Sequence, residues 1–177
     1  MTEPDLRYPI GKHVPVASLT PTERAAYIAQ IAAAPENLRR AVAGLTDAQL
    51  DTPYRPGGWT VRQLAHHVPD SHMNAYIRFK LGLTEDTPAI KTYEEKDWAK
   101  TPETAAPIAM SLDLLTALHV RWVTLLRGMT AADFARAIKH PEWGKPSLDA
   151  LLAMYAWHGR HHTAHVTALR QRMGWDA

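Results

Sequence analysis

The sequence predicts an all-α protein, a four-helix bundle, on three observations. Four long segments carry apolar residues at helical spacing, each opens on a capping or proline signal, and no segment alternates with period two for long enough to suggest a sheet. The first segment starts at Thr20, where "TPTE" supplies a cap, a proline at the first helical position and Glu23 three residues after the cap. Pro35 is expected to kink this helix rather than end it, because apolar periodicity resumes at Leu38 and Val42 and stops at Gly44. "TVRQ" at 60–63 is a second capping box and opens a helix whose pattern reaches about Leu83. Pro107 is expected to open the third, through Leu115, Leu118 and Trp122 to Gly128. Ser147 caps the fourth, which carries Leu151, Leu152, Tyr155, Val166 and Leu169 and ends before Gly174. Between the second and third helices, residues 84–104 are polar and punctuated by proline, and they read as a long ordered crossover loop rather than a fifth helix.

The chain also echoes itself. "GLTDAQL" at 44–50 matches "GMTAADF" at 128–134, and each is followed by a Pro/Gly/Trp loop and then a histidine-bearing helix. Two helix pairs related by a pseudo-twofold axis would leave this trace, with the second and fourth helices as counterparts.

With 177 residues and 46% apolar composition, the chain suits one domain over 1–177 with a single core. Twenty basic and eighteen acidic residues are interspersed, so no basic patch marks nucleic acid as a partner. The first ten residues are acidic where a signal peptide would be basic, and no stretch reads as membrane-spanning, so a cytoplasmic location away from membranes is expected. Cysteine is absent, which removes thiolate ligands and a cysteine nucleophile and leaves histidine, carboxylate or water for any metal.

Histidine is therefore the informative residue, and "YAWHGRHHTAH" at 155–165 holds four of the ten. At about 100 degrees per residue, His162 lies about 20 degrees and His158 about 60 degrees from the centre of the fourth helix's apolar stripe, against about 80 for His165 and 120 for His161. His158 and His162 are the inward pair, one turn apart on one face, and two imidazoles so placed can converge on one ion. In "HHVPDSH" the same calculation puts His66 on the surface and admits either His67 or His72. Pro69 is expected to bend the second helix here, because it cannot donate to the Ala65 carbonyl. His13, His119 and His140 read as structural, the six tryptophans as loop anchors and core filler, and Arg78 and Arg160 as solvated.

Three neutral imidazoles leave a divalent ion its full charge and an open coordination position, which lowers the pKa of bound water or of another acidic ligand. A metallopeptidase helix would add a glutamate in H-E-x-x-H, but Gly159, Arg160 and His161 follow His158, and Asp70 computes to the outer side of its helix. Either the metal-bound group is itself the nucleophile or a base arrives from a loop. "DSH" at 70–72 cannot form a triad, since adjacent helical residues point apart.

"YPIG" at 8–11, the run at 50–81 that includes "RPGGWTVRQLAHHVPDSH", "LTEDTPAI" at 83–90, "HPEWGK" at 140–145 and "YAWHGRHHTAHV" at 155–166 together resemble the YfiT-like branch of the DinB superfamily over nearly the whole chain. The resemblance implies a dimeric, cytoplasmic four-helix bundle with one Zn²⁺ or Ni²⁺ per subunit, acting as a metal-dependent hydrolase on a small-molecule substrate. By motif it implies His67, His158 and His162 as the metal ligands, and so chooses His67 over His72. Related DinB-like proteins imply an alternative, a thiol S-transferase of the bacillithiol, glutathione or mycothiol type, for which the missing carboxylate base is no obstacle. A non-catalytic bundle that binds a metal or an apolar ligand is the reading from outside enzymology. No catalytic or substrate-binding residue beyond the ligands follows from the sequence.

Overall fold

Thr20, Thr60 and Ser147 start three of the four long helices. The computed structural model describes residues 5–175. Helix α1 (Pro21–Val42) and helix α3 (Val61–Thr84) each open on a reciprocal capping box, Thr20 with Glu23 and Thr60 with Gln63. Helix α7 (Leu148–Met173) opens on Ser147, whose hydroxyl accepts from the Ala150 N–H. It closes on Gly174, whose φ of 66° and ψ of 34° are the left-handed geometry that favours glycine. Helix α5 (Ala109–Gly128) begins two residues later than Pro107 suggests. Ile108 is its N-cap, a shift within the ordinary uncertainty of helix ends.

Pro35 and Pro69 both lie inside continuous helices. The crossover expected as a loop contains two short helical pieces, α4 (Glu95–Trp98) and a 3₁₀ turn at Pro102–Ala105. Single turns carry no amphipathic period, which is why the sequence hides them. Gln63 anchors the crossover, its side-chain amide donating to the Ala99 carbonyl at 2.8 Å.

The internal echo has a structural counterpart. Its two copies are one-turn helices, α2 (Asp47–Leu50) and α6 (Ala131–Ala135), capped by Thr46 with Gln49 and by Thr130 with Asp133. After each, the chain makes an antiparallel bridge to the cap of the next long helix, Pro53 to Thr60 and Ala137 to Ser147. The first residue of each of those helices then donates back, Val61 to the Thr52 carbonyl and Leu148 to that of Arg136.

Helix α1 packs on α7 and α5, and α3 packs on the same two, so successive long helices α1 and α3 lie diagonally across the bundle. A partly buried ion pair, Arg24 Nε to Asp149 at 2.8 Å, ties α1 to α7. Helix α5 reaches membrane-spanning length and apolarity, contrary to the expectation from sequence. Its buried face packs Leu115, His119 and Trp122 into the bundle, while Met110, Leu114 and Val120 on the same helix are exposed.

The core has two apolar layers. One holds Ile31, Phe79, Trp122, Leu152 and Tyr155. The other holds Leu38, Leu64, Leu115, Val166 and Leu169. On α3, α5 and α7 the buried His72, His119, His161 and His162 and the half-buried His158 fall in sequence between the two layers, so imidazoles occupy the bundle's middle level.

Candidate metal centre

One ligand nitrogen each from His67, His158 and His162 lies within 4.8 Å of the others. His67 comes from the second turn of α3, and His158 and His162 stand one turn apart on α7. The Nε2 atoms of His158 and His162 are 3.2 Å apart. Two nitrogens at about 2.0–2.1 Å from one tetrahedral Zn²⁺ stand about 3.3 Å apart, so this pair is spaced to share a divalent ion. Burial pulls His67 down to about 4 and holds His158 and His162 well below the ordinary imidazole value. All three are neutral at pH 7, the protonation state that donates a lone pair to a metal. The His162 Nδ1 and its neighbours' Nδ1 atoms in His161 and His165 are buried without a hydrogen-bond partner among the described residues.

Trp59, delivered by the "RPGGW" loop, packs on the His67 ring with centroids 4.5 Å apart. His72, the other candidate on α3, is turned away from the three and meets the far nitrogen of His158, its Nε2 lying 3.1 Å from His158 Nδ1.

His66, expected at the surface, is buried at 3% exposure. Its Nε2 donates to the Ala106 carbonyl at 3.1 Å, which leaves Nδ1 to accept from the Ser111 hydroxyl at 2.7 Å. A single apolar stripe predicts exposure at His66, whereas α3 is covered by α5, α7 and the 3₁₀ turn. His161 and His165 are likewise buried on the outer side of α7. The N-terminal arm lies over them, with His165 Nε2 at 3.3 Å from the Arg7 carbonyl and Trp157 Nε1 donating to that of Gly11.

His67 and His158 face a cavity of about 120 Å³ that also meets Ser71, Arg78, Tyr93, Glu95 and His140. His158 and His162 face an adjoining, wider cleft, and Tyr93, Glu95 and Glu142 line both spaces. The Ser71 hydroxyl lies 3.5 Å from His158 Nε2. Burial, and next the Glu142 carboxylate, raise the proton affinity of Glu95. Asp70 is also raised, to about 6, by burial and by Glu103, but it lines neither space. Arg78, read from sequence as solvated, is 6% exposed, donates to the Tyr155 hydroxyl at 2.9 Å and makes no ion pair among the described residues. His140 stacks on Trp143 at 3.9 Å, and its Nδ1 accepts from the backbone N–H groups of Glu142 and Trp143.

The sequence thus names the three histidines that converge but not the wall opposite them. Tyr93, Glu95 and Glu142 sit in the crossover and in the 140–145 loop, where no period fixes a side chain's direction. The only signal for them is that each loop is long or rich in Pro, Gly and Trp next to a histidine helix.

A sequence model described as the DinB superfamily matches residues 30–166. A Bacillus mycoides protein named "Putative metal-dependent hydrolase" is 52% identical over 171 residues, 97% of this chain and 99% of that one. A Bacillus cereus protein of the same name is 51% identical over the same coverage. Among solved structures, YfiT from Bacillus subtilis, described as a probable metal-dependent hydrolase with an unusual four-helix bundle topology, superposes with a TM-score of 0.93 at 49% identity. That match covers 96% of this chain and 98% of YfiT. A second four-helix bundle protein, TT2238, shares the fold alone, at a TM-score of 0.57 and 19% identity over 82% of this chain and 98% of its own. Helix order, the histidine cluster and these relatives lead to one conclusion: the chain belongs to the DinB superfamily.

Proposed function

We propose that the protein is a metal-dependent hydrolase that holds one Zn²⁺ or Ni²⁺ per chain with His67, His158 and His162. The observation that carries this reading is the convergence of three neutral imidazoles, two buried and one half-buried, two of which, His67 and His158, face a cavity that also presents Ser71, Arg78 and Glu95. When bound there, the ion supplies Lewis acidity, lowering the pKa of a coordinated water and polarising a substrate carbonyl.

The chain's own residues do the remaining work. Glu95 is the base that the sequence of the histidine helix lacks, brought by the crossover to the cavity wall, and its raised proton affinity makes it a better proton acceptor than an ordinary carboxylate. Arg78, fixed through Tyr155, offers its guanidinium to an oxygen of the substrate. Trp59 shields one side of His67 from water. These carboxylate and guanidinium groups favour hydrolysis over thiol transfer, since a metal depresses a thiol's pKa without a base. An open cavity at the ligands also favours catalysis over a closed structural site.

Purified protein is expected to carry about one divalent metal per chain, and the His158→Ala, His162→Ala double variant to lose it. Ester or amide substrates should turn over without thiol, in a reaction abolished by a chelator. Full metal retention by the double variant would overturn the ligand assignment. Metal-dependent conjugation of an electrophile with glutathione, cysteine, coenzyme A, mycothiol or bacillithiol, with no ester or amide cleaved, would replace the hydrolase by the S-transferase.

A further inference from the structure

Behind His158, away from the cavity, two more buried imidazoles continue inward in single file. His158 Nδ1 is 3.1 Å from His72 Nε2, and His72 Nδ1 is 2.7 Å from His119 Nε2. His119 Nδ1 is in turn 2.7 Å from the main-chain carbonyl of Ile31 on α1. This carbonyl is available because residue 35, four positions on, is proline and has no N–H to close the helical bond. His72 and His119 are 0% and 2% exposed, so water cannot substitute for any partner in the chain.

A carbonyl only accepts, and this fixes every proton along the line. His119 must carry its proton on Nδ1, because the other tautomer would set a lone pair against the Ile31 oxygen. As a neutral ring it then offers a bare Nε2, so His72 must donate from Nδ1. His72 in turn offers a bare Nε2, so His158 must donate from Nδ1. The bare nitrogen left on His158 is Nε2, the one that faces His162 Nε2. An extra proton anywhere in the chain would have to displace this order and end on His158 Nε2. Gly159 makes the geometry possible: a Cβ there would stand 3.2 Å from the Ala34 Cβ and 3.5 Å from His72 Cε1.

We propose that His72 and His119 are positioning residues, an imidazole relay anchored on the Ile31 carbonyl that locks His158 in the Nδ1–H tautomer and aims its Nε2 at the metal. The relay rests on the reading of His67, His158 and His162 as ligands. It differs from the more usual carboxylate partner of a metal-bound histidine in adding no negative charge, so the ion keeps its full Lewis acidity while its ligand is held rigid.

Long-range ¹H–¹⁵N correlation on histidine-labelled protein reads the tautomers directly, and His72, His119 and His158 are all expected as Nδ1–H with unprotonated Nε2, in metal-free and zinc-loaded samples alike. An Nε2–H signal from His72 or His119 in either sample would overturn the relay. Zinc affinity, measured by chelator competition, is expected to fall about 10- to 100-fold in His119→Leu. His119→Gln should recover most of it, because its Oε1 reaches the place of Nε2 and can accept from His72. Equal affinity in wild type and both variants, or an equal loss in both variants, would reduce His119 to packing. If wild type binds no zinc, the ligand reading fails, while the tautomers of the metal-free protein still decide the relay. If His119→Leu does not fold, the wild-type tautomers decide alone.

Discussion

His67, His158 and His162 were legible as single residues because helical spacing fixes direction, and the α7 pair follows from geometry alone. The choice of His67 over His72 was not, since both lie at the margins of the same stripe and the family motif was needed to separate them. Structure then gives His72 a place of its own, one ring further inward. Arg78 shows the opposite limit. A long cation on a helix is ordinarily solvated, and only the Tyr155 hydroxyl across the bundle reveals that it turns inward. Glu95 was illegible for a third reason, its place at the start of a single-turn helix in the crossover, where no period fixes direction, yet it carries the sharpest test at this scale. Glu95→Gln keeps the shape and removes the proton acceptor, so turnover of the ester substrate is expected to fall about 10²- to 10⁴-fold with metal content unchanged. Because burial raises the Glu95 carboxyl, the wild-type rate should climb with pH as that group ionises, and the variant should lack this limb. Unchanged turnover in the variant would remove Glu95 from the mechanism.

Among elements, helix starts were legible where a side chain makes the cap, as at Thr20, Thr60 and Ser147, and blurred at α5, where Ile108 offers none. The repeated Thr-capped turns α2 and α6 were visible as an echo but not as helices, since four or five residues hold no period. Pro35 was visible as an interruption, while its consequence, the carbonyl of Ile31 released toward His119, depends on α5 lying alongside. The close approach of α1 and α7 at Gly159 is a testable property of the pair. Gly159→Val places branched carbons against Ala34 and the His72 ring, where a Cβ alone is already 3.2 Å from its neighbour. Overpacking of this kind costs about 1–3 kcal/mol, read as a lower urea midpoint, and zinc affinity should drop with it because the His72 ring is displaced. A variant as stable as wild type would mean that α1 and α7 can separate there freely.

For the whole molecule, the decisive feature is a layer of neutral imidazoles between two apolar layers, which makes folding and proton binding antagonistic. Burial pulls His67, His119, His161 and His165 down to about 4, and His72, His158 and His162 well below the ordinary value. In the unfolded chain each titrates near 6.5, so between about 6.5 and 4 the unfolded state binds protons that the folded state refuses. Stability therefore rises with pH through that window, is complete above it, and is lost as pH falls toward 4. The urea midpoint of the metal-free protein should accordingly decline steeply from about pH 7 to about pH 5, and a flat midpoint over this range would mean that the imidazoles are not held neutral by the fold. Zinc should oppose the decline, because an imidazole nitrogen engaged with metal cannot take a proton and an ion that binds only the folded state stabilises it by mass action. The same rings that make the bundle acid-sensitive would then make it metal-stabilised, with the acid transition moving to lower pH as free zinc is raised.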